Sequence, residues 1–370
     1  MERRKFISGG AGLAGVFAAG MAPAARASQS IRWRLASRFP KALDILHGGV
    51  QTFTQGVREL SGGKFEISAH NAEDLPSASG VLDGVQRGSI ECGHAGGLFY
   101  VEKDETFALD CAIPFGFTSR QMNAWMQEGN GLNLLREFYR SHGIVNFPMG
   151  NTGAQMGGWF RRPIRSINDI RKLKVRITGL GAQVFKRLGA QPSNLPAGEI
   201  YQALERGTID AAEWIGPYDD LKLGLDRIAK YYAYPGWCEG STQFSLYVNQ
   251  RAYDSLTNEN KAIVEAAAAL AHQEIQARYD AHNPVALREL LATGAQLMPF
   301  PKGVIEAAHL IAKDLYVEIG ERNPRWKKIH ASYNRFLRDQ AWGWGFTEAA
   351  YADYMHNYAL KQLKAQARKK

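Results

Sequence analysis

Glu199-Ile200-Tyr201-Gln202-Ala203-Leu204-Glu205-Arg206-Gly207-Thr208-Ile209-Asp210-Ala211-Ala212-Glu213-Trp214 decides the fold class. Glu199 to Arg206 reads as a helix that ends at Gly207, and Ile209 to Trp214 as an apolar strand. The same order of helix, glycine and strand occurs at Val81 to Arg87, Gly88 and Ile90 to His94. Ile31 to Ala36 predicts an earlier strand, Leu43 to Leu60 a helix stopped by Ser61-Gly62-Gly63, and Phe65 to Ala69 a strand of alternating polarity. A second unit opens after Gly143 with a glycine-rich stretch, and Ser166-Ile167-Asn168-Asp169 caps a helical turn before the strand Leu173 to Thr178. Leu173, Val175 and Ile177 share one face of that strand; Lys174, Arg176 and Thr178 share the other. Short strands alternating with helices predict α/β domains whose helices cover the sheets.

Further along, Asn258 to His282 carries Glu259 in its first turn, an alanine-rich apolar repeat, and Asn283-Pro284 as its expected stop. At 1.5 Å per residue such a helix is about 38 Å long, enough to brace two domains. Phe346 to Leu363 places Tyr351, Tyr354, Met355 and Tyr358 on one helical face, a pattern that suits core packing or contact with a second subunit.

The amino terminus reads as an export signal. Glu2-Arg3-Arg4-Lys5-Phe6-Ile7 precedes a small and apolar run that reaches Ala25-Arg26-Ala27, so the mature chain is expected to begin near Ser28. Arg3 and Arg4 fit the twin-arginine type; an ordinary Sec signal is the alternative. Gly10-Ala11-Gly12-Leu13-Ala14-Gly15 spells a dinucleotide fingerprint, but it lies inside this segment with no strand before it. Removing residues 1–27 takes the formal charge from +9 to +6, and no cluster of basic residues with interleaved aromatics points to nucleic acid. Cys92, Cys111 and Cys238 are too few for a disulfide framework. No later segment is apolar for long enough to span a membrane.

Enzyme motifs are missing. The chain has no G-x-S-x-G elbow, no P-loop and no H-E-x-x-H among its nine histidines. Glu91-Cys92-Gly93-His94 resembles a metal motif only superficially, because alternate strand residues face opposite ways. Arg176 is placed near the carboxyl end of its strand, where open α/β sheets bind ligands, and its guanidinium fork matches a carboxylate; a structural ion pair explains it equally well. Glu213-Trp214 and Trp237-Cys238-Glu239 add two acids beside aromatics, which could be metal ligands, a glycosidase pair or separate structural groups.

Gly150-Asn151-Thr152-Gly153-Ala154-Gln155-Met156-Gly157-Gly158-Trp159-Phe160-Arg161-Arg162, Lys174-Val175-Arg176 and Glu199 to Trp214 together resemble the solute receptors of tripartite ATP-independent periplasmic (TRAP) transporters. Trp214-Ile215-Gly216-Pro217-Tyr218-Asp219-Asp220 and Tyr232-Ala233-Tyr234-Pro235-Gly236-Trp237 resemble the branch that binds 2-oxo and 2-hydroxy acids such as pyruvate and lactate. The resemblance implies a non-catalytic α/β receptor: a two-lobed periplasmic-binding-protein fold with crossing strands, a long shared helix and a C-terminal helical extension. Residues 28–149 and 238–257 would form one lobe, and 150–237 and 284–325 the other. Residues 258–283 would brace both, and 326–370 would form the extension and reach onto a partner in a homodimer.

It further implies that Arg176 clamps the solute carboxylate. Gln155, Glu213, the main-chain carbonyl of Trp214 and Glu239 would hold a sodium or calcium ion bound with the solute. Gln155, Asn151, Tyr100 and Trp214 would touch the solute itself. Simple electrostatics agrees with a cation. Two glutamates and a substrate carboxylate against one arginine leave two uncompensated negative charges, and each like-charged pair about 4 Å apart costs about 4 kcal/mol at an effective dielectric near 20. A different TRAP ligand, such as a dicarboxylate or sugar acid, and an exported carbohydrate-active enzyme using Glu213 and Glu239 are the rival expectations.

Overall fold

A computed structural model describes residues 30–71 and 80–367. The expected export signal lies outside the described residues. Among the described residues eleven strands form two sheets: β1 (Ile31–Ser37), β2 (Phe65–Asn71), β3 (Cys92–Ala95), β4 (Ile144–Asn151), β5 (Gly158–Phe160), β6 (Lys174–Arg176), β7 (Gln191–Ser193), β8 (Ala211–Ala212), β9 (Tyr231–Tyr234), β10 (Gln243–Asn249) and β11 (Gln296–Pro299). The first sheet has the order β2-β1-β3-β10-β4 and the second β11-β9-β5-β8-β6-β7. Helices between parallel neighbours such as β1 and β2 are what the alternating sequence pattern requires.

In chain order the backbone passes from the first sheet to the second between β4 and β5, and returns between β9 and β10. A third passage, from β10 to β11, contains the long helix Asn258–Ala292. β4 and β10 are antiparallel neighbours with Gln243 opposite Asn151, so the outgoing and returning connections start side by side.

The helix Asp44–Leu60 buries Ile45, Leu46, Gly49, Val50, Phe53, Gly56 and Val57, one apolar stripe at helical spacing. Its glycines allow the long helix to come close: a Cβ on Gly49 would lie 2.2 Å from Ile275 Cδ1, and one on Gly56 3.3 Å from Ala267 Cβ. Ile263, Val264, Ala267, Ala268 and Ala271 of the long helix join the core of the first sheet, with Leu35, Phe53, Phe147 and Leu246.

The stop expected at Asn283-Pro284 does not occur, and the helix continues to Ala292 with Pro284 inside it. An interior proline costs about 3 kcal/mol. Beyond it Leu290 is fully buried in a cluster with Trp159 and Tyr232 of the second sheet and Leu204 of the helix Ala197–Glu205, and Leu287 packs at the edge of that cluster. Burying a leucine contributes about 1.5–3 kcal/mol, which offsets much of the penalty.

Other boundaries also move. The strand expected at Leu173 to Thr178 is Lys174–Arg176, and that expected at Ile209 to Trp214 is Ala211–Ala212; beyond the two strands Thr178 and Trp214 wall a small cavity. The last helical region is broken at Thr347 into Pro324–Phe346 and Glu348–Ala367, so Phe346 ends one helix and does not begin the next. Among the described residues no helix is long and apolar enough to cross a membrane.

Buried acids tie the second sheet together. Asp220 Oδ2 accepts hydrogen bonds from Trp159 Nε1 at 2.9 Å and from the Tyr232 hydroxyl at 2.7 Å, beneath the stacked rings of those two residues. Burial pushes the Asp220 carboxyl from 3.8 up to about 7, against the pull of those two hydrogen bonds. Between about pH 4 and pH 7 the folded chain therefore keeps a proton that the unfolded chain has lost, and this contribution to stability declines as pH rises through that window. Denaturant unfolding of Asp220→Asn against wild type should show the difference moving in the variant's favour from about pH 4 to pH 7, by at most about 1.4 kcal/mol per unit. A difference independent of pH would contradict this reading.

Candidate functional site

Where the two connections leave the sheets they enclose a cavity of about 30 Å³, walled by Arg176, Gln155, Glu239, Trp214, Thr178 and Ile215, with Phe39, Leu98, Phe99 and Phe244 closing its apolar side. Gln155 sits on the outgoing connection and Glu239 on the returning one; Arg176 ends β6, and Glu213 follows β8. One cavity thus draws on both sheets. A larger groove of about 720 Å³ runs along the last helices past Phe115, Trp326 and Tyr333, but it brings together none of the residues singled out from the sequence.

Arg176 is 3% exposed, and among the described residues no carboxylate forms a salt bridge with it, although the charges of Glu213 and Glu239 act on it. Its Nε donates to the Leu195 carbonyl at 3.1 Å and its Nη1 to the Glu213 carbonyl at 2.8 Å. Its guanidinium carbon lies 4.6 Å from the centre of the Trp214 ring. Two of the five N–H groups are thereby spent on main chain, which fixes the fork and leaves the others for an incoming acceptor. Burial pulls this guanidinium below its ordinary pKa, while Glu213 and then Glu239 hold it up.

Glu213 is equally buried, at 3% exposure. Its carboxyl is pushed well above the usual range by burial and then by Glu239, with Arg176 opposing. Burial also raises the carboxyl of Glu239, against the Thr242 hydroxyl that donates to its Oε2 and the charge of Arg176. Gln155 gives its Nε2 to the hydroxyls of Thr152 at 3.1 Å and Thr242 at 2.9 Å.

Two buried oxygens, Gln155 Oε1 and Glu213 Oε1, have no hydrogen-bond partner. Both are acceptors beside a third acceptor group, Glu239, and buried acceptors are rarely left bare because each costs about 1–3 kcal/mol. A hard cation fits such a set: all its donors are oxygen, and two of them are carboxylates. Among the described residues no group of three or more His, Cys, Asp or Glu side chains could hold a metal ion, so a cation here would rely on the amide oxygen as well as the acids.

The other sequence candidates lie at the margin. Trp214 walls the cavity, as does Thr178, two residues past the end of β6. Asn151 is fully buried at the end of β4; its Oδ1 accepts from Gly153 N at 2.9 Å and its Nδ2 has no partner. Tyr100 does not wall the cavity: its ring packs edge-on against Phe107 and Tyr247 in the adjoining core. His94, from the false metal motif, is buried with Nε2 2.8 Å from the Met149 carbonyl, and Cys92 is a buried free thiol. Sequence reasoning missed Phe39, Leu98, Phe99 and Phe244, which carry no polar signal, and the threonines at 152 and 242.

Residues 36–323 match the model of the bacterial extracellular solute-binding protein family 7, and the chain belongs to that family. The chain is 40% identical over 326 residues, 88% of its own length and 89% of the relative's, to a monocarboxylate 2-oxoacid-binding periplasmic protein of Nostoc sp.. Its fold matches a TRAP transporter solute-binding protein of Bordetella bronchiseptica with a TM-score of 0.87 at 41% identity, covering 90% of this chain and 99% of the other. That protein was crystallised as a mixed-occupancy dimer with copurified calcium and picolinate. A TRAP periplasmic solute-binding protein of Pseudoalteromonas atlantica, with bound sodium and pyruvate, matches with a TM-score of 0.84 at 35% identity over 88% of this chain and 99% of its own.

The two connections touch at Gly236, where a Cβ would lie 2.5 Å from the Gln155 carbonyl oxygen and 2.7 Å from its carbon. Gly236→Ala must push Gln155 aside, and overpacking of this kind costs about 1–3 kcal/mol. Titration calorimetry should therefore show solute affinity reduced by about 5- to 100-fold with the secondary structure unchanged; affinity equal to wild type would show that the position of Gln155 is immaterial.

Proposed function

We propose that the protein is the periplasmic receptor of a TRAP transporter, that it binds a small 2-oxo or 2-hydroxy monocarboxylate together with a sodium or calcium ion, and that it delivers the acid to the transporter's membrane subunits. The observation that carries this reading is the half-used guanidinium of Arg176 facing the same small cavity as Gln155 and Glu239, with Glu213 joined to it through its carbonyl and two buried acceptor oxygens, Gln155 Oε1 and Glu213 Oε1, left bare. Arg176 would take the solute carboxylate through its free N–H groups. Gln155, Glu213, Glu239 and the Trp214 carbonyl would hold the cation, which supplies positive charge against the glutamates and the solute. Asn151 and, less directly, Tyr100 would support the solute's surroundings.

The chemistry of the relatives' solutes supports it. Pyruvate and picolinate both carry a carboxylate next to a second donor atom, a ketone oxygen in one and a ring nitrogen in the other, so either forms a five-membered chelate. The small cavity suits such a solute better than a sugar acid. A divalent ion balances the charge outright, whereas sodium leaves one negative charge unless a carboxyl holds a proton, and the raised carboxyls of Glu213 and Glu239 make that proton accessible.

Calorimetry with pyruvate, lactate, longer 2-oxo acids and succinate, in sodium-free buffer with chelator and again with calcium or sodium restored, tests the whole reading. Pyruvate-like acids should bind only with the cation present. If none binds tighter than millimolar the substrate reading fails, and if succinate ranks first the receptor serves a different acid. Arg176→Ala should weaken binding by about 30-fold or more, because truncating one partner of a buried charge pair costs about 2–5 kcal/mol. Affinity retained within a few fold would refute the clamp.

We also propose a homodimer formed through the last two helices. Trp342 and Phe346 are both 75% exposed, and Tyr351, Tyr354, Met355 and Tyr358 continue this apolar surface, more than a solvated terminal helix ordinarily carries. Sedimentation equilibrium should give a dimer that Tyr354→Glu with Tyr358→Glu converts to monomer; a monomeric wild type would overturn the proposal.

A further inference from the structure

Thr152 follows β4 and Thr242 precedes β10, and the pairing of those strands sets the two residues face to face. Thr152 N donates to the Thr242 carbonyl at 3.0 Å, and Thr242 N donates to Thr152 Oγ1 at 3.0 Å. Both hydroxyls are buried. Each has a single proton, and each proton is already committed: Thr152 donates to the Gly153 carbonyl at 2.9 Å, and Thr242 donates to Glu239 Oε2. Toward Gln155, therefore, both hydroxyls can act only as acceptors. The amide end that meets them must be the NH₂ group, which donates to Thr152 Oγ1 and Thr242 Oγ1 and also faces the Glu239 carboxyl, itself an acceptor. The opposite end, Oε1, is left buried and without a donor.

A flipped amide would set an oxygen against two hydroxyl oxygens that have no proton to give, and would aim N–H groups where the carbonyl oxygen now points. Packing alone cannot exclude that flip, since the two ends of an amide are almost the same size. We propose that Thr152 and Thr242 are positioning residues that lock the Gln155 amide with its oxygen toward the cation, and that Thr242 at the same time anchors one oxygen of Glu239. The two threonines thereby join a ligand on the outgoing connection to a ligand on the returning one. This rests on the cation-dependent binding proposed above.

Valine is nearly the shape of threonine and has no hydroxyl; serine keeps the hydroxyl and drops the methyl. The two substitutions separate hydrogen bonding from packing. At saturating pyruvate, the calcium concentration for half-maximal binding should rise about tenfold or more in Thr152→Val/Thr242→Val, and stay within about threefold of wild type in Thr152→Ser/Thr242→Ser. If the serine variant is impaired while the valine variant is not, the threonines serve packing and the proposal is overturned. Should circular dichroism show the double valine variant to be unfolded, Thr152→Val alone, which leaves the partner of Glu239 in place, carries the test: an unchanged calcium requirement overturns the proposal and a raised one supports it. A wild type that binds pyruvate without any cation would instead remove the reading on which this depends.

Discussion

Three ionisable side chains, Arg176, Glu213 and Glu239, are held at 8% exposure or less without forming a closed ion pair, and two of them, Arg176 and Glu239, wall one small cavity. Burying a charge unpaired is among the most expensive things a fold can do. Much of the surrounding architecture serves to make it tolerable. The guanidinium is steadied by the carbonyls of Leu195 and Glu213, neutral groups that satisfy its protons without neutralising it. Glu239 receives a hydroxyl from Thr242. What remains is a net demand for an anion at the arginine and a cation at the acids. A solute that brings a carboxylate next to a second donor atom can answer both demands together.

The same chain holds other buried acids, and the contrast identifies which belong to the site. Asp110 accepts from the Tyr139 hydroxyl at 2.6 Å and from Ser245 at 3.0 Å; Asp219 accepts from Tyr279 at 2.7 Å; Asp220 accepts from Trp159 and Tyr232. Each of these structural carboxyls is met by a phenol or an indole rigidly packed for the purpose. Glu213 receives no side-chain hydrogen bond from any described residue. High burial and a raised pKa are common to both groups, so neither distinguishes function from structure; the phenol or indole partner that each structural acid has, and that Glu213 and Glu239 lack, does.

Local patterns were legible wherever a short stretch settles its own conformation. Val81–Arg87 is a helix closed by Gly88 in the left-handed region, with φ of 71°, as the order of apolar residues and glycine requires. The 3₁₀ turn at Ile167–Asp169 has the reciprocal Ser166 and Asp169 hydrogen bonds that its sequence suggests. Boundaries fixed by distant packing were not legible. Nothing near Pro284 says that Leu290 will be buried under the second sheet, and nothing in Ile209 to Trp214 says that β8 stops after Ala212. Arg176 was ambiguous for the same reason: whether a guanidinium meets a carboxylate or a pair of carbonyls depends on Leu195 and Glu213, which reach it only through the sheet. Thr152 and Thr242 are ninety residues apart, and their contact exists only in the register of β4 against β10.

That register also explains why the site lies where it does. Gln155 and Glu239 occupy the two connections that pass between the sheets beside one another, whereas Arg176 and Glu213 belong to the second sheet alone. A ligand that grips all four is therefore bound simultaneously to one sheet and to the straps that join it to the other. Any rotation of the sheets about those straps must change the distances between Gln155, Glu239 and the pair fixed on β6 and β8. Binding energy gained at the cavity is in this way differential between arrangements of the sheets, which is the condition for a ligand to shift a conformational equilibrium at all. The long helix limits the range of such a rotation, because its first half is packed into the core of one sheet and its end into the core of the other. The geometry that neutralises the buried charges is thus the geometry that couples solute capture to the shape of the whole molecule.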